Sequence, residues 1–209
     1  MIPVKVLAVQ YLSAVSPELS RALGTDAPCL GLITTDSDDP TYIALDQATK
    51  DAQVSVCYGR SFYAGAANVS TPYAGEVVGI LAGPTPGAVR SGMESALSQL
   101  QQVGFEEVNG VPCLAHTVSR CGSFLSKEAG VAEGTPLAYL IAPPLESMYA
   151  MDAALKAADV KLCKLYTPPT ETNFGGGLLT GTQSACAAAC AAFRDAVEKV
   201  AQQPKEGTL

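Results

Sequence analysis

The chain repeats itself. Ile43 to Val56 (IALDQATKDAQVSV) lies over Tyr149 to Leu162 (YAMDAALKAADVKL) at an offset of 106. Ala44, Asp46, Ala48, Lys50, Ala52 and Val54 recur as Ala150, Asp152, Ala154, Lys156, Ala158 and Val160. Upstream, Leu19 to Gly24 (LSRALG) lies over Leu125 to Gly130 (LSKEAG) at the same offset. Downstream, Val89, Met93, Ala96, Leu100 and Val103 match Cys186, Cys190, Phe193, Val197 and Val200, and each set follows one helical face. A duplicated unit constrains a chain more than any single motif, because each copy must bury the same apolar pattern. The repeat predicts two domains, residues 1–108 and 109–209.

Each half reads as strand, short helix, strand, helix, strand, strand, helix. Strands are expected near 4–11, 29–34, 53–58 and 75–82, then near 111–118, 136–142, 160–166 and 177–181. Helices are expected near 17–23, 42–52 and 86–103, then near 122–129, 145–158 and 184–201. Strands interleaved with one-sided apolar helices predict an α/β layered fold. Two connections are far longer than a hairpin loop, and both are rich in Gly, Pro, Thr and aromatics. They run through Arg60, Ser61, Phe62, Tyr63 and Tyr73 in the first half, and through Thr172, Asn173 and Phe174 in the second. Loops of that length in a compact domain are functional or disordered, or tuck back onto the surface.

Composition removes several function classes. Thirteen basic residues against 20 acidic give a formal charge of −7, with no basic cluster, which argues against nucleic acid. No apolar run reaches the roughly 18 residues of a membrane span, and the N-terminus reads as a strand rather than a signal peptide. Hydrophobic residues make up 48% of the chain and charged residues 16%, a balance that points to subunit contacts. The seven cysteines are odd in number and scattered through apolar segments, as in a reduced cytoplasmic protein.

Catalytic signatures are missing. The single histidine, His116, lies in an apolar strand, VPCLAHTV. No nucleophile elbow, phosphate loop or zinc spacing accompanies it, so no enzyme, metal or required cofactor is expected. The acidic run Asp36-Ser37-Asp38-Asp39 has two roles open to it. It caps the following helix, or it holds an amine with one carboxylate while another caps. Glu76, at the start of a strand, adds a second carboxylate to the amine reading, with Tyr42 and Phe105 as candidate aromatic walls.

The run Gly75 to Leu97 (GEVVGILAGPTPGAVRSGMESAL) resembles the strand–turn–helix of bacterial microcompartment shell proteins. Asp152 to Leu162 (DAALKAADVKL) resembles that family's D-x-x-x-K-A-A-x-V motif, and DQATKDAQV is a weaker copy with Asp51 in place of its first alanine. Two copies in one chain are similar to the tandem-domain, circularly permuted branch. TTDSDDPTYIALDQATK, YGRSFYAGAA, AYLIAPPLES and LLTGTQSACAAAC resemble its ethanolamine-utilisation members.

The resemblance implies two permuted shell domains, each a small antiparallel-rich sheet flanked by helices. It implies a homotrimer mimicking a hexamer, tiled with other shell proteins into a cytoplasmic organelle. Lys50 and Lys156 fall at the family's disc edge, and the two long loops fall at an axial pore that they gate for metabolites. The implied pathway handles ethanolamine, a cation, which makes Asp38, Glu76, Phe105 and Tyr42 candidates for its site. By pathway analogy, cobalamin is a further candidate ligand. The alternative function is a soluble trimeric amine sensor outside any shell.

Overall fold

A computed structural model describes residues 1–62 and 76–205. The chain forms two compact units. One comprises Pro3–Val103 with Gly122–Leu125, and the other comprises Met1–Ile2, Gly104–Cys121 and Ser126–Leu209.

The first unit contains β1 (Val6–Leu12), α1 (Pro17–Ala22), β2 (Cys29–Thr35), α2 (Asp38–Asp51), β3 (Ser55–Ser61), β4 (Val77–Gly83) and α3 (Pro86–Leu100). Its sheet is antiparallel throughout, in the order β1-β2-β4-β3. The period-two pattern of the central strands divides the apolar residues between two faces. Ile33 and Leu81 pack with Ala44, Leu45, Ala48, Met93, Ala96 and Leu100 of the two long helices. Leu30, Ile80 and Ala82 turn the other way, against Leu12, Val15 and Leu23. Thr85 caps α3 by accepting a hydrogen bond from the Ala88 amide, and Pro86 opens the helix.

The second unit contains β5 (Glu106–Val108), β6 (Val111–Val118), most of α4 (Ser123–Ala129), β7 (Leu137–Ala142), α5 (Pro144–Ala157), β8 (Val160–Tyr166), β9 (Gly175–Gly181) and α6 (Gln183–Gln202). The sheet order is β5-β6-β7-β9-β8, again antiparallel. Every residue of β7 is buried, as its unbroken apolar run LAYLIA demands. Cys186, Cys190, Phe193 and Val197 of α6 close one core with Leu140, Ala150, Met151 and Leu179. Burial raises the Cys113 thiol to about 12 and the Cys190 thiol to about 11, so neither carries a thiolate near neutrality.

The two sheets repeat the same order, with β6-β7-β9-β8 matching β1-β2-β4-β3. Even the irregularities repeat. The β3–β4 register slips at Cys57 and the β8–β9 register slips at Cys163, 106 residues apart. Two features depart from the sequence expectation. α2 begins at Asp38 rather than Tyr42, because Pro40 lies in the first turn, where no amide is needed. β5 is an additional strand, joined to β6 by Asn109-Gly110 with both residues at positive φ (50° and 82°).

Asp46 is fully buried on α2. One carboxylate oxygen accepts the Gly122 amide at 2.7 Å and the other accepts the Leu125 amide at 2.8 Å. Lys50 Nζ lies 3.5 Å from the same group, and Thr49 Oγ1 accepts the Ser123 amide at 3.1 Å. Gly122 has no room for a side chain, since a Cβ there would lie 2.2 Å from Thr49 Oγ1 and 2.6 Å from the Asp46 carbonyl oxygen. Asp46→Asn replaces one acceptor by a donor and leaves a buried amide unmatched. It is expected to cost about 1–3 kcal/mol in a denaturant melt. Gly122→Ala overpacks the same point, with an expected cost of about 1–3 kcal/mol.

Candidate functional site

Four carboxylates cluster at one end of the central strands of the first unit. β2 delivers Asp36, whose Oδ1 accepts the Lys5 amide at 2.8 Å. The first turn of α2 delivers Asp38 and Asp39, 6% and 7% exposed. Glu76 stands just before β4. Its amide donates to the Thr35 carbonyl at 2.8 Å, and its own carbonyl accepts the Phe62 amide at 2.9 Å. Glu76 thus ties the beginning of β4 to β2 and to the end of β3, at the root of the long first-half connection.

A hydroxyl network holds the turn between β2 and α2. Thr35 and Thr41 are both fully buried, with their hydroxyls 2.7 Å apart. Thr41 Oγ1 donates to the Ser37 carbonyl at 2.7 Å, and the Ser37 amide donates to Thr35 Oγ1 at 3.2 Å. Asp38 Oδ1 accepts the Asp39 amide at 2.9 Å, and Ser61 donates to the Asp38 carboxylate. The Ser61 hydroxyl also meets the Tyr42 hydroxyl. With the Ser61 proton committed to Asp38, Tyr42 is the donor to Ser61. The capping reading of the acidic run is corrected: Ser37 is the N-cap residue and makes no side-chain cap bond, while Asp38 and Asp39 stand in the first turn of α2, where their charge favours its positive end.

The electrostatics are those of crowded, partly buried carboxylates. Burial pushes the Asp38 carboxyl above its ordinary range, partly offset by the Ser61 and Asp39 hydrogen bonds. Burial also raises Glu76, and the charges of Asp38 and then Asp36 raise it further. A cation placed between Asp38 and Glu76 would relieve that repulsion and receive charge-assisted hydrogen bonds.

The remaining expected positions are distributed as follows. Tyr42 packs its ring on Phe124, 5.8 Å between centroids, beside Asp38 and Ser61. Phe105 belongs to the other unit, where its ring packs on Phe174 at 5.7 Å. Arg60 and Ser61 pair with Val78 and Val77 in the β3–β4 ladder, and Phe62 follows them. Tyr63 and Tyr73 lie outside the described residues. Thr172 and Asn173 form the turn before β9, with Asn173 at φ 61° and its amide bonded to the Thr170 carbonyl. Lys156 is 75% exposed and pairs at 2.6 Å with Asp152, itself 65% exposed, whereas Lys50 is mostly covered beside Asp46. His116 sits in β6 opposite Tyr139.

Among the described residues, no group of three His, Cys, Asp or Glu could hold a metal ion, and no helix is long and apolar enough to cross a membrane. Sequence reasoning missed Ser61 as a partner of Asp38, and it missed the Thr35–Thr41 pair. The periodicity of β2 and the T-T-D-S-D-D-P-T run contained the signal, since Ser and Thr flanking an Asp turn bond locally.

The raised Asp38 carboxyl makes a stability prediction. An acid whose folded pKa exceeds its unfolded value contributes stability below the unfolded pKa, and that contribution is lost as pH rises through the folded pKa. Asp38→Asn keeps the size of the side chain and removes the charge. In thermal melts without ligand, its melting temperature should match or exceed wild type at neutral pH, with the advantage disappearing in acid. A variant less stable than wild type at neutral pH and equal in acid would contradict the assignment.

Comparison with known proteins places this geometry. The bacterial microcompartment (BMC) domain matches residues 29–112. The shell protein EutL of Clostridium perfringens is 58% identical over 95% of this chain and 94% of its own. The Escherichia coli EutL is 49% identical over the same shares. The crystal structure of ethanolamine utilization protein EutL from Leptotrichia buccalis superposes with a TM-score of 0.95 at 53% identity, covering 99% of this chain and 98% of that one. These relatives have a structural rather than a catalytic role, and their place is the shell of a bacterial microcompartment. Near-complete coverage at such identity, on the tandem α/β architecture described above, means that the chain belongs to the EutL family of bacterial microcompartment shell proteins.

Proposed function

We propose that this chain is a shell tile whose three copies form a pseudohexameric disc with a gated axial pore, and that ethanolamine regulates the gate from the Asp38–Glu76 cluster. The observation that carries the regulatory part is the position of Glu76. Its backbone bonds to Thr35 and Phe62, and its carboxylate is held in the field of Asp38 and Asp36. A cation bound there joins the start of α2, the end of β3 and the start of β4. It therefore acts on the root of the connection that the family places at the pore. Such a ligand shifts the gate only by its differential affinity for the open and closed arrangements. Ethanolamine supplies an ammonium for the two carboxylates and a hydroxyl for Ser61 or Tyr42. Cobalamin is the larger candidate from the same pathway, and it is tested by titration alongside ethanolamine.

Calorimetry tests the site. Wild type should bind ethanolamine in the micromolar to millimolar range, about −4 to −8 kcal/mol. Asp38→Asn and Glu76→Gln should each lose most of the heat with assembly unchanged. Because both carboxyls titrate above the ordinary carboxylate range while the amine stays protonated, affinity should be weaker at about pH 5 than at about pH 7. Equal binding in all three proteins would remove the site.

The tiling part rests on Lys156, a cation exposed at the end of an Ala-rich helix and carried over from the family's edge motif. Lys156→Asp should leave the disc intact and abolish two-dimensional sheets under the electron microscope. Sheets that persist in this variant would exclude Lys156 from the edge contact.

A further inference from the structure

Asp38, Tyr42 and Asp46 stand at i, i+4 and i+8 on α2 and so share one helical face. Each has a partner from outside the helix. Asp46 accepts the Gly122 and Leu125 amides, which fixes the backbone on both sides of Phe124. The Phe124 ring in turn packs on the Tyr42 ring, 5.8 Å between centroids. Gly59 of β3 leaves room for both rings, since a Cβ there would lie 3.2 Å from Phe124 Cζ and 3.5 Å from Tyr42 Cε1. Seated in this way, the Tyr42 hydroxyl donates to Ser61, and Ser61 donates to the Asp38 carboxylate. The second unit builds the same strand order with Met148 and Pro144 at the positions of Tyr42 and Asp38. The hydroxyl chain is therefore not a requirement of the fold.

We infer that Tyr42 is a positioning residue for amine binding at Asp38: seated by Phe124 and the Asp46 anchor, it holds the Ser61 hydroxyl on the Asp38 carboxylate. A hydroxyl that accepts a hydrogen bond is a stronger donor in its own, so Tyr42 strengthens the Ser61–Asp38 bond without touching the ligand. Asp38 Oδ1 also accepts the Asp39 amide at 2.9 Å. The amide and the hydroxyl together fix the orientation of the carboxylate and use part of its acceptor capacity. An orientation set before the ligand arrives lowers the cost of binding. Asp46, two helical turns from Asp38, thereby serves the site as well as the fold. The inference rests on the Asp38–Glu76 reading above and adds residues that act on that site from a distance.

Calorimetric titration of the full chain with ethanolamine tests it. Tyr42→Phe keeps the ring and removes the donor, and should weaken binding by about three- to tenfold. Ser61→Ala should weaken it by at least as much. Because Tyr42 acts through Ser61, Tyr42→Phe should cause no further loss when added to Ser61→Ala. Phe124→Leu, which frees the Tyr42 ring, should weaken binding in wild type but not in the Ser61→Ala background. A pH series supplies a readout that packing alone would not move. Losing the Ser61 bond raises the Asp38 carboxyl further, so the pH at which acid halves the affinity should rise in Tyr42→Phe and in Ser61→Ala. Asp36, Asp39 and Glu76, the other carboxylates of the cluster, are the same in all of these variants. Wild-type affinity and pH profile in Tyr42→Phe, or an undiminished loss on top of Ser61→Ala, would overturn the positioning role, and losses in Asp38→Asn and Glu76→Gln would still uphold the site. Wild-type binding in those two variants as well overturns both readings.

Discussion

A carboxylate without water must be answered by the protein, and the first unit is organised around one. Removing Asp46 from solvent costs several kcal/mol unless its charge is met by donors of good geometry. Two backbone amides and Lys50 meet it. The amides belong to residues 76 and 79 positions along the chain, so the interaction holds α2 to a segment that local folding could not bring there. The close approach requires Gly122, because any side chain would strike Thr49 and the α2 backbone. One charge, two amides and one missing Cβ thereby specify where residues 122–125 are anchored.

The same short motif does different work in its two copies. In D-x-x-x-K the aspartate and lysine lie one turn apart on a helix, and an exposed pair of that kind is worth about 0.3–0.5 kcal/mol. That is the situation of Asp152 and Lys156. At Asp46 the lysine is a secondary partner and the backbone amides dominate. Sequence similarity alone gives both copies one meaning, whereas burial separates them. Asp46 anchors residues 122–125, whereas Asp152 and Lys156 stand exposed as a pair.

Much of the architecture was legible because the repeat was. Two units of the same element order and the helical faces of α3 and α6 followed from the repeat and its periodicity. The failures have local causes. Pro40 and three aspartates made the first turn of α2 read as loop, although a helix tolerates both at its N-terminus. β5 has only three residues, too few to show alternation, yet Asn109-Gly110 is a strong hairpin signal and was read only as a boundary. Asp38 and Glu76 were legible as a pair because both sit at the ends of segments expected in one sheet. Ser61 was not, since its role depends on the register that sets β3 against β4. Nor was the burial of Asp46, which depends on a contact between residues far apart in sequence.

The acidic cluster shows how crowded carboxylates persist in a stable unit. Burial raises the cost of ionising both Asp38 and Glu76, and the charges of Asp38 and Asp36 raise it further for Glu76. The backbone around them is satisfied independently. Thr35, Thr41 and Ser37 complete the turn, and Glu76 is fixed through its main chain rather than its side chain. The scaffold therefore does not need the carboxylates to be neutralised. Main-chain bonds position these residues, and their side-chain charges are left out of that task. The proposed regulation depends on this separation, since a cation on the side chains would then act at the loop root without unfolding the sheet.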